Sequence, residues 1–170
     1  MNVWRHLRAV VLCPGLVTLA VPALIVWLTE TVEVGWGLPG ALAVLPVVLG
    51  AALIGTGLVL VVQTVALFAT EGRGTLAPWD PTSRLVVRGP YRYVRNPMIS
   101  GVLLVLLGEA ALLGSVPLLA WFLAVFAVNA VYFPLVEEPG LRIRFGEDYD
   151  RYRDNVPRWV PRLRPWQPPV

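Results

Sequence analysis

Arg84-Leu-Val-Val-Arg-Gly-Pro-Tyr-Arg-Tyr-Val-Arg-Asn-Pro97 is the stretch on which the reading of this chain turns. It places four arginines directly before an apolar hairpin, Met98–Leu113 and Pro117–Val136, whose arms are joined by the uncharged turn Gly114-Ser-Val-Pro117. Glu137-Glu138 and then Phe145-Gly-Glu-Asp-Tyr149 follow the hairpin. Charge is massed at the two ends of the hairpin and nearly absent between them. A chain that returns to one membrane face and gathers arginines, carboxylates and tyrosines there is arranged to hold a charged small molecule beside lipid.

Composition agrees with that picture. Of 170 residues, 56% are hydrophobic and 15% charged, with a mean hydropathy of +0.66. A soluble domain of this length rarely exceeds about half apolar residues, so a single-domain membrane protein is expected. Two further apolar segments complete the set. Ala9–Leu28 has about 20 residues, enough for a hydrocarbon core of roughly 30 Å, and Leu38–Thr70 is long enough to tilt or protrude. The expected fold is all-α and polytopic: four transmembrane helices over about 9–28, 38–70, 98–113 and 117–136, a loop cassette at 71–97 and a tail at 137–170. The first span is read as retained rather than as a signal peptide, because its apolar run is long and no small-residue cleavage pattern follows.

The basic residues are all arginine, 14 in number, and there is no lysine. Arg5 and Arg8 precede the first span, five arginines lie between spans two and three, and seven follow span four. The connection after span one carries Glu30 and Glu33 instead. With four spans every arginine falls on one side, which puts both termini, the cassette and the tail in the cytoplasm. The net charge of +3 therefore needs no nucleic acid to explain it. Trp27, Trp36, Trp79 and Trp121 lie near span ends, as interfacial anchors do. Cys13 has no partner for an internal disulfide, His6 stands alone, and no grouping of ligating residues points to a metal.

Pro78 and Pro81 mark Thr75–Pro81 as an extended loop. Arg88-Gly-Pro90 reads as a turn, and Asn96-Pro97 starts the third helix with proline in its first turn. The N-terminus of that helix is a place for an anion, with Arg92 and Arg95 beside it. In the tail, Leu141, Phe145, Tyr149, Tyr152 and Val156 recur at spacings of three and four. This predicts a C-terminal amphipathic helix, interrupted at Gly146. Two dispositions fit it: flat on the bilayer, or folded back over the hairpin ends.

At these residues the chain resembles the integral-membrane methyltransferases of the isoprenylcysteine carboxyl methyltransferase and phospholipid methyltransferase type. The resemblance rests on Gly89-Pro-Tyr-Arg-Tyr-Val-Arg-Asn-Pro-Met98, on Glu137-Glu138, and on Phe145-Gly-Glu-Asp-Tyr-Asp-Arg-Tyr152 followed by Val156-Pro157 and Pro161. Gly72-Arg-Gly-Thr-Leu-Ala-Pro-Trp-Asp-Pro81 is similar to the bacterial branch, which implies a bacterial inner membrane. The resemblance implies S-adenosylmethionine as methyl donor, held at the cytosolic ends of the last helices, and a lipophilic small molecule or lipid as acceptor. Gly55-Thr-Gly57, the Gly-x-Gly in a long apolar context, follows no strand and reads as helix packing rather than a nucleotide loop. Three departures stand out: Asn96 where the family often has histidine, Ile99 where it often has tyrosine, and no arginine in Asn129-Ala-Val-Tyr-Phe-Pro-Leu-Val136. The last weakens the case for a prenylcysteine carboxylate.

Arg95 and Glu138 are the candidate catalytic pair. The candidate cofactor-binding set is Tyr93, Arg95, Asn96, Pro97, Gly101, Glu137, Glu138, Tyr149 and Tyr152. Arg95 offers a bidentate fork to a carboxylate, and the two glutamates offer acceptors for ribose hydroxyls or an amino group. Each has a plainer alternative. The glutamates could pair with Arg95 or Arg142, Arg92 and Arg95 could contact lipid phosphate, the tyrosines could be interfacial aromatics, and Gly101 could be helix packing. Glu109, inside the third span and toward the end away from the cassette, reads either as a functional intramembrane carboxylate or, the preferred reading, as a structural hydrogen bond. The non-enzymatic alternative is a membrane accessory or transport protein with a lipid-binding arginine loop.

Overall fold

A computed structural model describes residues 11–71 and 85–167; Thr75–Pro81, Trp79 and the 72–81 motif lie outside them. All regular secondary structure among the described residues is helical, with no strand among them. A π-wound segment, Val11–Ala20, runs into α1, Val21–Thr29. A short 3-10 turn leads to α2, Val44–Glu71. The hairpin is α3, Pro97–Leu113, and α4, Val116–Tyr132. A π turn, Phe133–Glu137, joins α4 to α5, Glu138–Phe145, and α6 is Glu147–Asn155. Two helical runs, Gly40–Leu67 and Val116–Phe145, are long and apolar enough to cross a membrane, while Pro14–Thr29 and Pro97–Leu113 are shorter apolar helices.

Both π segments contain a proline, Pro14 and Pro134. Proline has no N–H to give and its ring crowds the carbonyl one turn back, so the helix widens rather than stops. The widening at Pro134 lets the run continue past Glu137 and Glu138, which sit within continuous helix instead of at a helix end. The first segment also uses a spare carbonyl: Trp121 Nε1 donates to Val17 O at 3.1 Å.

Among the described residues the most extensive helix–helix contact is between α2 and α3. They run antiparallel, and two glycine pairs set their separation. A Cβ on Gly57 would lie 2.5 Å from Gly101 O, and one on Gly101 would lie 2.8 Å from Gly57 O. Two turns along, a Cβ on Gly50 would lie 2.7 Å from Gly108 O, and the reverse distance is also 2.7 Å. Only hydrogen side chains allow this approach. Val102, Leu103, Val105, Leu106 and Ala110 of α3 are buried as a result. Gly57 thus does the packing expected of the Gly-x-Gly pair, while Gly55 has open space around it.

At one end of the bundle the loop after α1 seats on the α3–α4 turn. Glu33 N donates to Leu113 O at 2.9 Å, and Trp36 Nε1 donates to Ala111 O at 2.9 Å. Trp27 stays 73% exposed, as a lipid-facing residue would. The cassette, α5 and α6 occupy the other end. There the periodic tail residues form one cluster: Tyr149, Tyr152 and Val156, with Leu141, Phe145, Leu85, Val87 and Trp166 packed on it. The helix breaks at Gly146, at φ +55°, as the sequence indicates. The aromatic face turns inward against the cassette.

Gly57→Ala and Gly108→Ala should each destabilise the protein by about 1–3 kcal/mol, because the added methyl meets backbone that cannot swing aside. Gly55→Ala should be neutral or stabilise by up to about 1 kcal/mol through helix propensity. Apparent melting temperatures in detergent separate the three.

Candidate functional site

The site is assembled where the cassette, the α4–α5 junction and the tail beyond α6 meet. Gly89, at φ +52°, opens a 3-10 turn over Gly89–Arg92. Tyr91 N donates to Arg88 O and Tyr93 N to Pro90 O, so the cassette is coiled tightly before α3. Pro157 then ends α6 and the chain turns back as an extended strap along it. Arg95 N donates to Pro157 O at 2.9 Å, Arg162 N to Tyr93 O at 3.0 Å and Trp166 N to Arg92 O at 2.9 Å. Arg92 Nε returns a bond to Trp166 O at 2.7 Å. Backbone of the cassette is therefore satisfied by backbone of the strap, and the two are positioned as one unit.

Glu138 is the charged centre. Its Oε1 lies 3.1 Å from Arg95 Nη1 and 2.6 Å from Arg158 Nε, with the Glu138 side chain only 14% exposed. Of the pairings left open by the sequence, Arg95 is the one formed. Two guanidiniums on one carboxylate leave the trio net positive. The Arg95 side chain is 11% exposed and its Nε is buried with no hydrogen-bond partner. A buried donor without a partner is costly unless something is to be bound there.

Tyr149 Oη lies 3.5 Å from Arg95 Nη1. Tyr152 Oη donates to Tyr91 O at 2.8 Å. The Tyr149 and Tyr152 rings meet at 6.4 Å and 60°. Burial pushes the hydroxyls of Tyr91, Tyr149 and Tyr152 above their ordinary range, so all three stay protonated. Glu137 differs. Burial first, and the charge of Glu138 second, push its carboxyl up to about 7, with Arg144 opposing. The two adjacent carboxyls therefore sit in different electrostatic settings, Glu138 between guanidiniums and Glu137 apart from them.

An apolar cavity of about 740 Å³ lies against this cluster, between α2, α3 and α4. Leu103, Leu107 and Phe122 line its depth, and Tyr93, Trp159 and Pro161 stand in its walls. Trp159 is fixed by Phe126 at 5.6 Å and Phe133 at 5.7 Å. Tyr93 belongs to both regions: its side chain lines the cavity and its carbonyl holds the strap.

Of the predicted residues, the structure brings Arg95, Glu138 and Tyr149 into contact, with Tyr152 packed behind and Glu137 in electrostatic reach of Tyr91 and Tyr149. Asn96 and Pro97 begin α3, but the Asn96 side chain makes no cap bond. Gly101 lies in the α2–α3 contact rather than in the charged cluster. Arg158, Trp159 and Pro161 were not singled out as site residues by the sequence reading. Their signal was Pro157: a proline directly after an amphipathic segment forces an extended continuation, so the residues just beyond it are the ones placed back on the cassette.

A family model for phospholipid methyltransferases matches residues 45–148, more than half of the chain, from the second residue of α2 into α6. No curated protein and no solved structure matches.

Glu138→Ala should destabilise by about 2–4 kcal/mol, since it strands two guanidiniums, and Arg158→Ala by less, because Arg158 is the more exposed partner. Glu137 gives a pH test. Its folded pKa lies above its unfolded value, so its charge costs stability that appears as pH rises from about 4.5 to 7 and is absent below. Glu137→Gln should melt above wild type at about pH 8, by roughly 1–2 kcal/mol after allowance for solvent screening, and match it near pH 5.

Proposed function

The chain belongs to the phospholipid methyltransferase family, and from that premise we propose that it moves a methyl group from S-adenosylmethionine to a lipophilic acceptor taken from the bilayer. In this reading the chain crosses a bacterial inner membrane four times, with the cassette and tail in the cytoplasm. The observation that carries the reading is a juxtaposition. A net-positive, partly unsatisfied cluster around Arg95 and an apolar cavity of about 740 Å³ are separated by one residue step on each segment, Val94 in the cassette and Trp159 in the strap.

The residues present fit the cofactor's chemistry. The buried, unpartnered Nε of Arg95 suits a carboxylate. Glu137 offers an acceptor for an ammonium or for ribose hydroxyls. Glu138 holds Arg95 and Arg158 in place. Tyr149 and Tyr152 form the wall beneath, Tyr93 faces the acceptor side, and Asn96 and Pro97 set the start of α3. Gly101 contributes by bringing α2 close. When bound, S-adenosylmethionine supplies an electrophilic methyl group and loses its sulfonium charge on transfer.

The protein's part is alignment and exclusion of water. The apolar walls of the cavity favour a hydrocarbon chain, so an acceptor with a polar end would present that end toward Tyr93. A carboxylate or thiolate acceptor asks for no proton removal. For an amine acceptor Glu137, with its carboxyl pushed up to about 7, is suited to take the proton near neutral pH.

Titration of S-adenosylhomocysteine into the purified protein tests the reading. Saturable binding is expected, weaker by at least about tenfold, ~1.4 kcal/mol, in Arg95→Ala and in Glu137→Ala/Glu138→Ala. Incubation with methyl-labelled donor and a lipid extract should then label an extractable lipid. A folded wild type in lipid nanodiscs that binds no S-adenosylhomocysteine would overturn the proposal and leave a non-enzymatic lipid-binding role.

A further inference from the structure

The strap beyond α6 leaves a surface that the site does not use. Val160 is 75% exposed and Leu163 fully exposed, and Arg162 and Arg164 stand on either side of Leu163. Pro157, Pro161 and Pro165 keep this segment from coiling into a helix that could hide them. The position of the segment says what covers these side chains. Trp159 is wedged against Phe126 of α4 and Phe133 at the start of the π turn that follows it, seven residues apart. At about 1.5 Å of rise per residue from their midpoint to Glu138, the indole lies about 13 Å down the bundle from that carboxylate. That depth belongs to the apolar stretch formed by the end of α4 and the π turn after it, where Val128, Val131, Leu135 and Val136 are exposed.

We propose that the strap, centred on Val160 and Leu163, is a monolayer anchor that rests in the cassette-side leaflet, with Arg164 at an anionic lipid headgroup. Two exposed aliphatic side chains bracketed by arginines match the boundary between acyl chains and phosphates, where a guanidinium on a long stem reaches outward while its neighbour stays in hydrocarbon. Arg162 donates its guanidinium to Asn155 O, so Arg164 is the cation assigned to lipid. The amphipathic helix is not the anchor, because its aromatic residues are spent inside the fold: Tyr149 is 2% and Tyr152 3% exposed. The anchor does not depend on the methyl-transfer reading.

Site-directed fluorescence in nanodiscs tests it on the full chain. Cys13→Ala/Leu163→Cys and Cys13→Ala/Asp148→Cys each carry an environment-sensitive label, in discs of phosphatidylcholine and phosphatidylglycerol. Position 163 touches nothing, so the label leaves the fold intact, and circular dichroism checks this. Nitroxide on the upper acyl chain should quench the label at 163 strongly and that at 148 weakly, with iodide quenching several-fold weaker at 163. Removing phosphatidylglycerol, or adding Arg164→Gln, should reduce the nitroxide quenching. Equal iodide access at both positions overturns the anchor. So does shielding from iodide without nitroxide quenching, which would mean a protein surface, such as a second copy, covers the strap. Quenching indifferent to both phosphatidylglycerol and Arg164→Gln overturns the headgroup assignment.

Discussion

Backbone-to-backbone contact between α2 and α3 governs the architecture. Lipid tails are as apolar as leucine, so helices gain nothing from hydrophobicity alone when they meet in a bilayer. They gain from close approach, and Gly50, Gly57, Gly101 and Gly108 allow it at two levels. The contact fixes the rotation of α3, which decides that Asn96 and Pro97 begin it beside the cassette and that Leu103 and Leu107 face the cavity. The rest of the bundle is looser by comparison. Much of α4 is exposed along its length, as suits a helix with lipid on one side.

On this rigid pair sits a polar assembly held by different means. The cassette is held by the strap through main-chain bonds at Arg92, Tyr93 and Arg95, and by side chains through Glu138. Main-chain bonds fix position and are indifferent to charge. The ion pairs fix charge and tolerate small shifts of position. The combination places guanidiniums to within a hydrogen bond while leaving one buried donor, Arg95 Nε, without a partner.

Much of this was legible in the sequence because membrane insertion imposes coarse rules. Apolar run lengths pointed to the helices, though α2 begins at Val44 rather than Leu38 and the last run continues past Val136 to Phe145, and proline and glycine marked turns at Arg88–Pro90, Gly114–Pro117 and Gly146. The helical spacing of Tyr149, Tyr152 and Val156 identified a shared face, though not what it would meet. Glu138 was legible as a residue needing a partner because a carboxylate at the end of an apolar run is costly unpaired, and the structure pairs it with Arg95 and Arg158. Arg158 was not, since its role arises from a chain reversal that brings together residues twenty positions apart. The cavity was also out of reach, because its walls draw on α2, α3, α4 and the strap at once. Gly101 shows the limit from the other side: the sequence left it between a cofactor contact and helix packing, and its surroundings are those of a helix contact.

The strap bears on how the protein comes into being. Synthesis runs from the first helix onward, and α1 through α4 can enter and pack before the last residues exist. Until Pro157 and the residues after it emerge, Arg95 N has no acceptor, Glu138 lacks Arg158, and the cavity is open where Trp159 and Pro161 will stand. A chain halted before Pro157 would thus be a packed bundle with its ion cluster incomplete and one wall of its cavity missing, and it is the residues from Pro157 to Trp166 that close that end.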